Sequence, residues 1–280
     1  MSCEPHQGLP ASWSIPIAAT VAVVAAMLLY LRDWRRLRRD FPEATSGSRP
    51  AAFVAGMVVL WAVIGSPLSA LDHVLLTFHM VQHLLLMTVA APLILLGTPA
   101  IALPRGLPHP VRGALGRFLR SFAFRRIGRQ VTHPAACWLA GTAVVLVWHV
   151  PEIFELGMRS HFWHAIQHAT FFAAGLLFWW PVIETGPGST TLPRSFAPLY
   201  LFLATLPCDA LSAFLAFCGR VVYPSHRSAH PLFGLSALQD QECAGALMWF
   251  WVTIAYLLPA IVITLRALSP SGRESAASPR

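Results

Sequence analysis

The sequence predicts an all-α, polytopic membrane bundle of about seven transmembrane helices, and three observations lead there. Of 280 residues, 56% are hydrophobic and only 11% charged, with a mean hydropathy of +0.59. That composition leaves too little polar surface to solvate a globule of this size. The apolar residues gather into seven runs, most of them near the roughly 20 residues a helix needs to cross a hydrocarbon core. The arginines fall mainly in alternate gaps between those runs, the pattern expected when cationic connections stay on the cytoplasmic side.

The first run, 15–31, is followed by Arg32, Arg35, Arg36, Arg38 and Arg39. Because its basic residues follow the apolar stretch instead of preceding it, it reads as a retained anchor and not as a cleaved signal peptide. The second run, 51–68, closes around Pro67, and the third, 73–96, carries HMVQH near its start. In the gap that follows, Val111, Leu115, Phe118, Leu119, Phe122 and Ile127 recur at near-helical spacing among arginines. This predicts a basic helix lying on the inner membrane surface over about 109–130. The fourth run, 134–150, is bracketed by Pro134 and Pro151, as suits helix boundaries. The fifth, 162–183, opens in HFWHAIQH and ends near Pro181; the sixth is 197–218 and the seventh 243–265. Residues 1–268 therefore read as one transmembrane domain, and 269–280, rich in Ser, Pro and Ala, as a disordered cytoplasmic tail.

Orientation follows from the arginines. Seventeen of them lie in the gaps after the first, third and fifth runs or in the tail, and only Arg159, Arg220 and Arg227 lie on the other side. This predicts an amino terminus outside and a carboxyl terminus in the cytoplasm. A net charge of +8 comes with no nucleic-acid recognition motif and sits beside the spans, so anionic lipid headgroups are the expected partners and nucleic acid is not. The five cysteines have no zinc-type spacing. Cys218 and Cys243 fall at the outer ends of the sixth and seventh runs, where either a disulfide or a thiolate ligand is an open alternative.

The chemistry is concentrated in histidine. His79 and His83 lie one turn apart on one helix face, and His161, His164 and His168 form a stripe at the start of the fifth run. His149 ends the fourth run near the same surface. At 1.5 Å per residue, His79 lies about 10 Å below the start of its span, and His164 and His168 start at comparable depth. An imidazole pair at i, i+4 can chelate one cation, and imidazole with thioether or thiolate suits copper; Met80, Met87, Met248 and Cys243 are the candidate soft donors. His79, His83, His164 and His168 are thus the candidate metal ligands, with His149 and His161 as accessory or entry groups. The remaining histidines, His6, His73, His109, His133, His226 and His230, are expected to be interfacial or solvated.

Two carboxylates stand out. Asp209 lies within the sixth run, where it must pair, protonate or line water. Asp240 stands at the start of DQECAGALMW, suited to a helix amino terminus or to supporting the histidines, while Ala244 and Gly245 permit close helix approach.

Several segments together resemble the CtaG-type cytochrome c oxidase assembly factors of bacteria: HMVQHLLLMTVAAPLILLGTPA, HFWHAIQHATFFAAGLLFWWPV, and VVYPSH followed by DQECAGALMW. The likeness spans 51–265, with Glu242 and Cys243 departing from the glutamine and aliphatic residue expected there. It implies a multi-pass protein of the bacterial inner membrane that helps to build a haem–copper oxidase; with no nucleophile–base arrangement, Gly-rich phosphate loop or zinc-protease motif in the sequence, an enzyme is not expected. Oxidase subunits or copper chaperones would be its partners and Cu(I) its cargo. A b-type haem protein and an ion-coupled transporter using Asp209 and the histidine stripe remain alternatives.

Overall fold

The computed structural model describes residues 15–40, 48–66, 74–99, 113, 117, 121–183, 192–227 and 234–269, and among these it holds helices and no strand. Six helices are long and apolar enough to cross a membrane, and a seventh span arises if one bent pair is counted together.

Helices α1 (Ile17–Asp40) and α2 (Ser48–Gly65) run antiparallel. Trp61 Nε1 donates to Thr20 Oγ1 at 3.0 Å near one end, and Tyr30 stacks on Phe53 at 3.8 Å towards the other. α1 continues beyond its apolar run to Asp40, its last turn carrying Arg38 and Arg39, which complement the negative end of the helix dipole. α3 (Leu76–Leu96) is interrupted by a π-helical turn at Leu86–Ala90. α4 (Phe122–Val131) covers the end of the expected basic surface helix, with Arg126, Ile127 and Arg129 exposed. Most of 109–120 lies outside the described residues, as does the tail from 270.

The fourth span differs from its expected form. α5 (Pro134–Trp148) has 15 residues and is followed, across a 77° bend, by α6 (Pro151–Arg159). Val150 is extended (φ −63°, ψ 125°) because the proline ring behind it disfavours helical geometry, and Pro151 then occupies the first helical position, where its missing N–H costs nothing. α7 (His161–Ile183) follows, then α8 (Ala197–Phe217), the short α9 (Pro224–Arg227) and α10 (Ala237–Leu268). α10 is longer than its apolar run at the amino end, where Ser236 and Gln239 form a reciprocal capping box.

α8 and α10 touch backbone to backbone. A Cβ on Gly245 would lie 2.8 Å from Ala216 N and 2.9 Å from the Ser212 carbonyl, so the small residue noted in the sequence permits the approach. The main core, including Leu76, Met80, Phe154, Phe178, Leu201, Met248 and Tyr256, joins α3, α5, α6, α7, α8 and α10. A smaller cluster of Tyr30, Trp34, Phe53, Met57 and Ile94 joins α1 and α2 to the far part of α3. Outward-facing Phe202, Leu206, Phe250, Leu258 and Ile261 are exposed, as suits helices whose outer solvent is lipid.

Candidate functional site

α3 and α7 run parallel, each placing its histidine pair near its amino end. His79 is fully buried, and His83, His164 and His168 are nearly so. The His79 and His83 Nε2 atoms stand 2.8 Å apart, a separation at which one nitrogen donates a proton and the other accepts it. Ring centroids lie 5.6 Å apart for His79 and His164, 5.3 Å for His83 and His168, and 4.3 Å for His164 and His168. The four rings share one buried layer, and Phe171 stacks on His83 at 4.1 Å to fix its plane.

Two glutamines tie the helices together. Gln167 Nε2 approaches His79 Nε2 at 3.4 Å, and His168 Nε2 approaches Gln82 Oε1 at 3.1 Å. Each glutamine reaches across to a histidine of the other helix. Sequence reasoning missed both residues, although the signal was present: HMVQH and HAIQH are each His-x-x-Gln-His.

A roof covers this layer. Phe154 of α6 packs 5.0 Å from His79, and His226 of α9 lies 5.6 Å from Phe154 and 6.4 Å from His79. His226 was expected to be interfacial or solvated, yet it is only 3% exposed. The reason is the path of the chain after α8. Gly219 adopts φ 63°, a left-handed conformation that glycine enters without Cβ strain, and the following segment folds back over the bundle. There Glu155 Oε1 accepts from Ser225 N at 3.0 Å, and the Tyr223 hydroxyl donates to the His149 carbonyl at 3.2 Å. Burial first, and the Cys218 thiol second, push the Tyr223 phenol above its ordinary pKa, so it remains a neutral donor.

Support at the amino end of α3 comes through α10. Asp240 Oδ2 accepts from Leu76 N at 2.6 Å, and Oδ1 accepts from Thr77 N at 3.1 Å and from the Thr77 hydroxyl at 2.6 Å. Asp240 therefore caps α3, a different helix from its own, and holds the amino end from which His79 and His83 project. Further along, the π turn lets the Met87 carbonyl accept from Trp179 Nε1 at 3.0 Å. A Cβ on Gly175 would come within 2.9 Å of Met87 Cα, so α7 lies against that turn with no side chain between.

The accessory residues separate. His149 is buried, with Nδ1 2.6 Å from the Val145 carbonyl, which makes Nδ1 the donor and leaves Nε2 a lone pair; Nε2 is buried without a hydrogen-bond partner. His161 is exposed at the mouth of α7. Asp209 is half-buried and does not line the cavity that its neighbour Cys208 faces. That cavity, about 30 Å³, lies beside His83 and His149 and is also lined by Met80, Met87 and Met248. Cys218 and Cys243 are both free thiols, so no disulfide joins them, and Cys243 is exposed. Among the described residues, no group of three or more histidine, cysteine or acidic side chains is already disposed to hold a metal ion. His6, His73, His109 and His230 lie outside the described residues.

The fold and the site define a multi-pass helical membrane protein built around a buried imidazole layer. The cytochrome c oxidase caa3 assembly factor family (Caa3_CtaG) matches over residues 28–269. The chain belongs to that family. Uncharacterized proteins of Mycobacterium bovis and Mycobacterium tuberculosis are each 24% identical over 267 residues, and one of Mycobacterium leprae is 23% identical over 263. These alignments cover 92% to 94% of this chain but only 39% to 40% of the relatives, so the chain spans about two fifths of their length. No solved structure matches.

Proposed function

We propose that this chain is a non-enzymatic factor of the bacterial inner membrane that holds Cu(I) transiently and helps it reach a haem–copper oxidase during assembly. His79, His83, His164 and His168 are the ligands, His161 stands at the entry and His149 is an accessory donor. Asp240 positions α3, and Asp209 balances charge on α8. Oxidase subunits or a copper chaperone are the partners, met on the extracytoplasmic face, with the amino terminus outside and the carboxyl terminus in the cytoplasm.

The observation that carries the reading is the meeting of two His-x-x-Gln-His faces in one buried layer. The Nδ1 atoms of His79 and His83 are buried without hydrogen-bond partners, each at a cost of about 1–3 kcal/mol. A soft cation accepted by ring rotation removes part of that cost. Exchangeable, incomplete coordination also suits a protein that must release its cargo. Family membership supplies the setting, since copper is part of what a haem–copper oxidase must acquire. The cavity of about 30 Å³ beside His83 has room for a cation or a water and not for a porphyrin, which favours copper over haem.

The test is copper per oxidase, with haem spectra, in membranes of cells carrying the wild-type chain, the His79→Asn/His83→Asn variant, or none. Oxidase polypeptide retained with copper and activity lost in the latter two, and activity partly restored by added copper, is the expected result. Fully metallated, active oxidase in the deletion strain overturns the assembly role; normal copper with missing haem moves support to haem handling.

A further inference from the structure

Below the histidine layer lies a chamber with a different chemistry. Its lining brings Met80, His83 and Met87 from α3, His149 from the end of α5, Cys208 from α8 and Met248 from α10 around about 30 Å³ of space. A void of 10–15 Å³ or more admits a water, but a stable buried water needs two to four polar partners. Here these are scarce. The Thr88 hydroxyl on the same wall already donates to the Leu84 carbonyl at 2.7 Å and accepts from Trp251 Nε1 at 2.8 Å. Methionine is often only a flexible filler of cores, and three thioethers around a filled space would need no other account. Here the thioethers border about 30 Å³ of open space, and His149, which lines it too, is 7% exposed with Nδ1 fixed on the Val145 carbonyl and Nε2 buried without a hydrogen-bond partner.

We infer that this chamber is a second station for a soft monovalent d10 cation, with His149 Nε2 and the thioethers of Met80, Met87 and Met248 as its donors. The inference rests on the copper reading for the identity of the cargo. The donor set excludes hard cations, since calcium and magnesium demand oxygen ligands and retained water, whereas thioether, thiol and imidazole select Cu(I). Tyr256 and Phe171 on the wall add aromatic faces that attract a desolvated cation. His83 belongs to both places, its Nε2 meeting His79 and its ring lining the chamber. A cation held by the upper layer therefore reaches the thioethers by exchanging ligands at one shared imidazole, a transfer in which no bond to protein is broken before another can form.

The experiment uses the full chain purified in detergent, loaded with Cu(I) under anaerobic reducing conditions and read by X-ray absorption at the copper edge, with Ag(I) competition for affinity. Wild-type protein should show nitrogen and sulfur neighbours. Met80→Leu/Met87→Leu/Met248→Leu, near-isosteric in volume, should lose the sulfur shell and at least tenfold in Cu(I) affinity, while His164→Asn/His168→Asn keeps the sulfur shell. If the triple variant fails to accumulate, the single Met248→Leu variant should still lower the sulfur count. A nitrogen-only shell in loaded wild-type protein, or a sulfur shell unchanged by the methionine substitutions, overturns the chamber while leaving the copper reading intact. Wild-type protein that retains no Cu(I) removes both.

Discussion

The flank formed by α1 and α2 and the centre formed by α3 and α7 both bury large side chains, yet they differ in how much polarity they enclose. In the flank, Tyr30 is fully buried and its hydroxyl is satisfied at 2.7 Å by the Gly97 carbonyl. Asp33 is fully buried with neither carboxylate oxygen hydrogen-bonded and ion-pairs with Arg36 at 4.0 Å; the cluster beside it is apolar and aromatic. In the centre, nitrogens of His79, His83 and His149 are buried without partners. The difference follows enclosure: 67% of the α3 span is buried against 22% of α1. Hydrocarbon offers an unpaired polar group nothing, so on a lipid-bordered helix such a group must turn inward, as Asp33 does beside Arg36. A helix wrapped by protein on most sides can gather several of them into one layer, and it is there that the imidazoles are kept.

The comparison breaks most sharply at Phe53. Replacing it by alanine should cost about 3–5 kcal/mol in detergent thermal unfolding while leaving copper per folded protein unchanged; a parallel loss of copper would mean that flank and centre are one unit. Asp240→Ala should come next, at about 1–4 kcal/mol, because two backbone donors at a helix amino end lose their cap at about 0.5–2 kcal/mol each. Unlike Phe53→Ala it should also lower copper retention, and Asp240→Asn, which still offers one oxygen, should recover part of both. The smallest effect is expected for Trp251→Phe, about 1 kcal/mol, since Thr88 keeps its bond to the Leu84 carbonyl. Unfolding midpoints measured across the three variants check the order.

Spans and histidine pairs were legible in the sequence because both depend on local spacing. Hydropathy located each apolar run, and the i, i+4 rule put His79 with His83 and His164 with His168. What escaped reading depends on the path of the chain in three dimensions. Pro151 marked a helix boundary, but nothing in its neighbours gave a 77° turn into α6. His226 lies in a short polar segment, and only the fold of that segment back over Phe154 buries it. Asp240 was read as capping its own helix or supporting the histidines, and only the fold shows that its oxygens meet the amino end of α3, more than 160 residues away in the chain. Gln82 and Gln167 were visible letters whose meaning required the two helices to be parallel and adjacent.

The π turn at Leu86–Ala90 sets the angular phase of α3. An inserted residue in an α-helix rotates everything on one side of it by roughly 100° relative to the other. In α3 the histidines and Asp240's anchor point lie on one side, and the packing against Phe53 and Gly56 through Ile94 and Gly97 lies on the other. A single-residue deletion within the turn would leave composition, hydropathy and every ligand in place, yet swing the imidazoles out of register with their partners on α7. Among related chains, the length of this short segment should therefore be more tightly constrained than the identity of its residues.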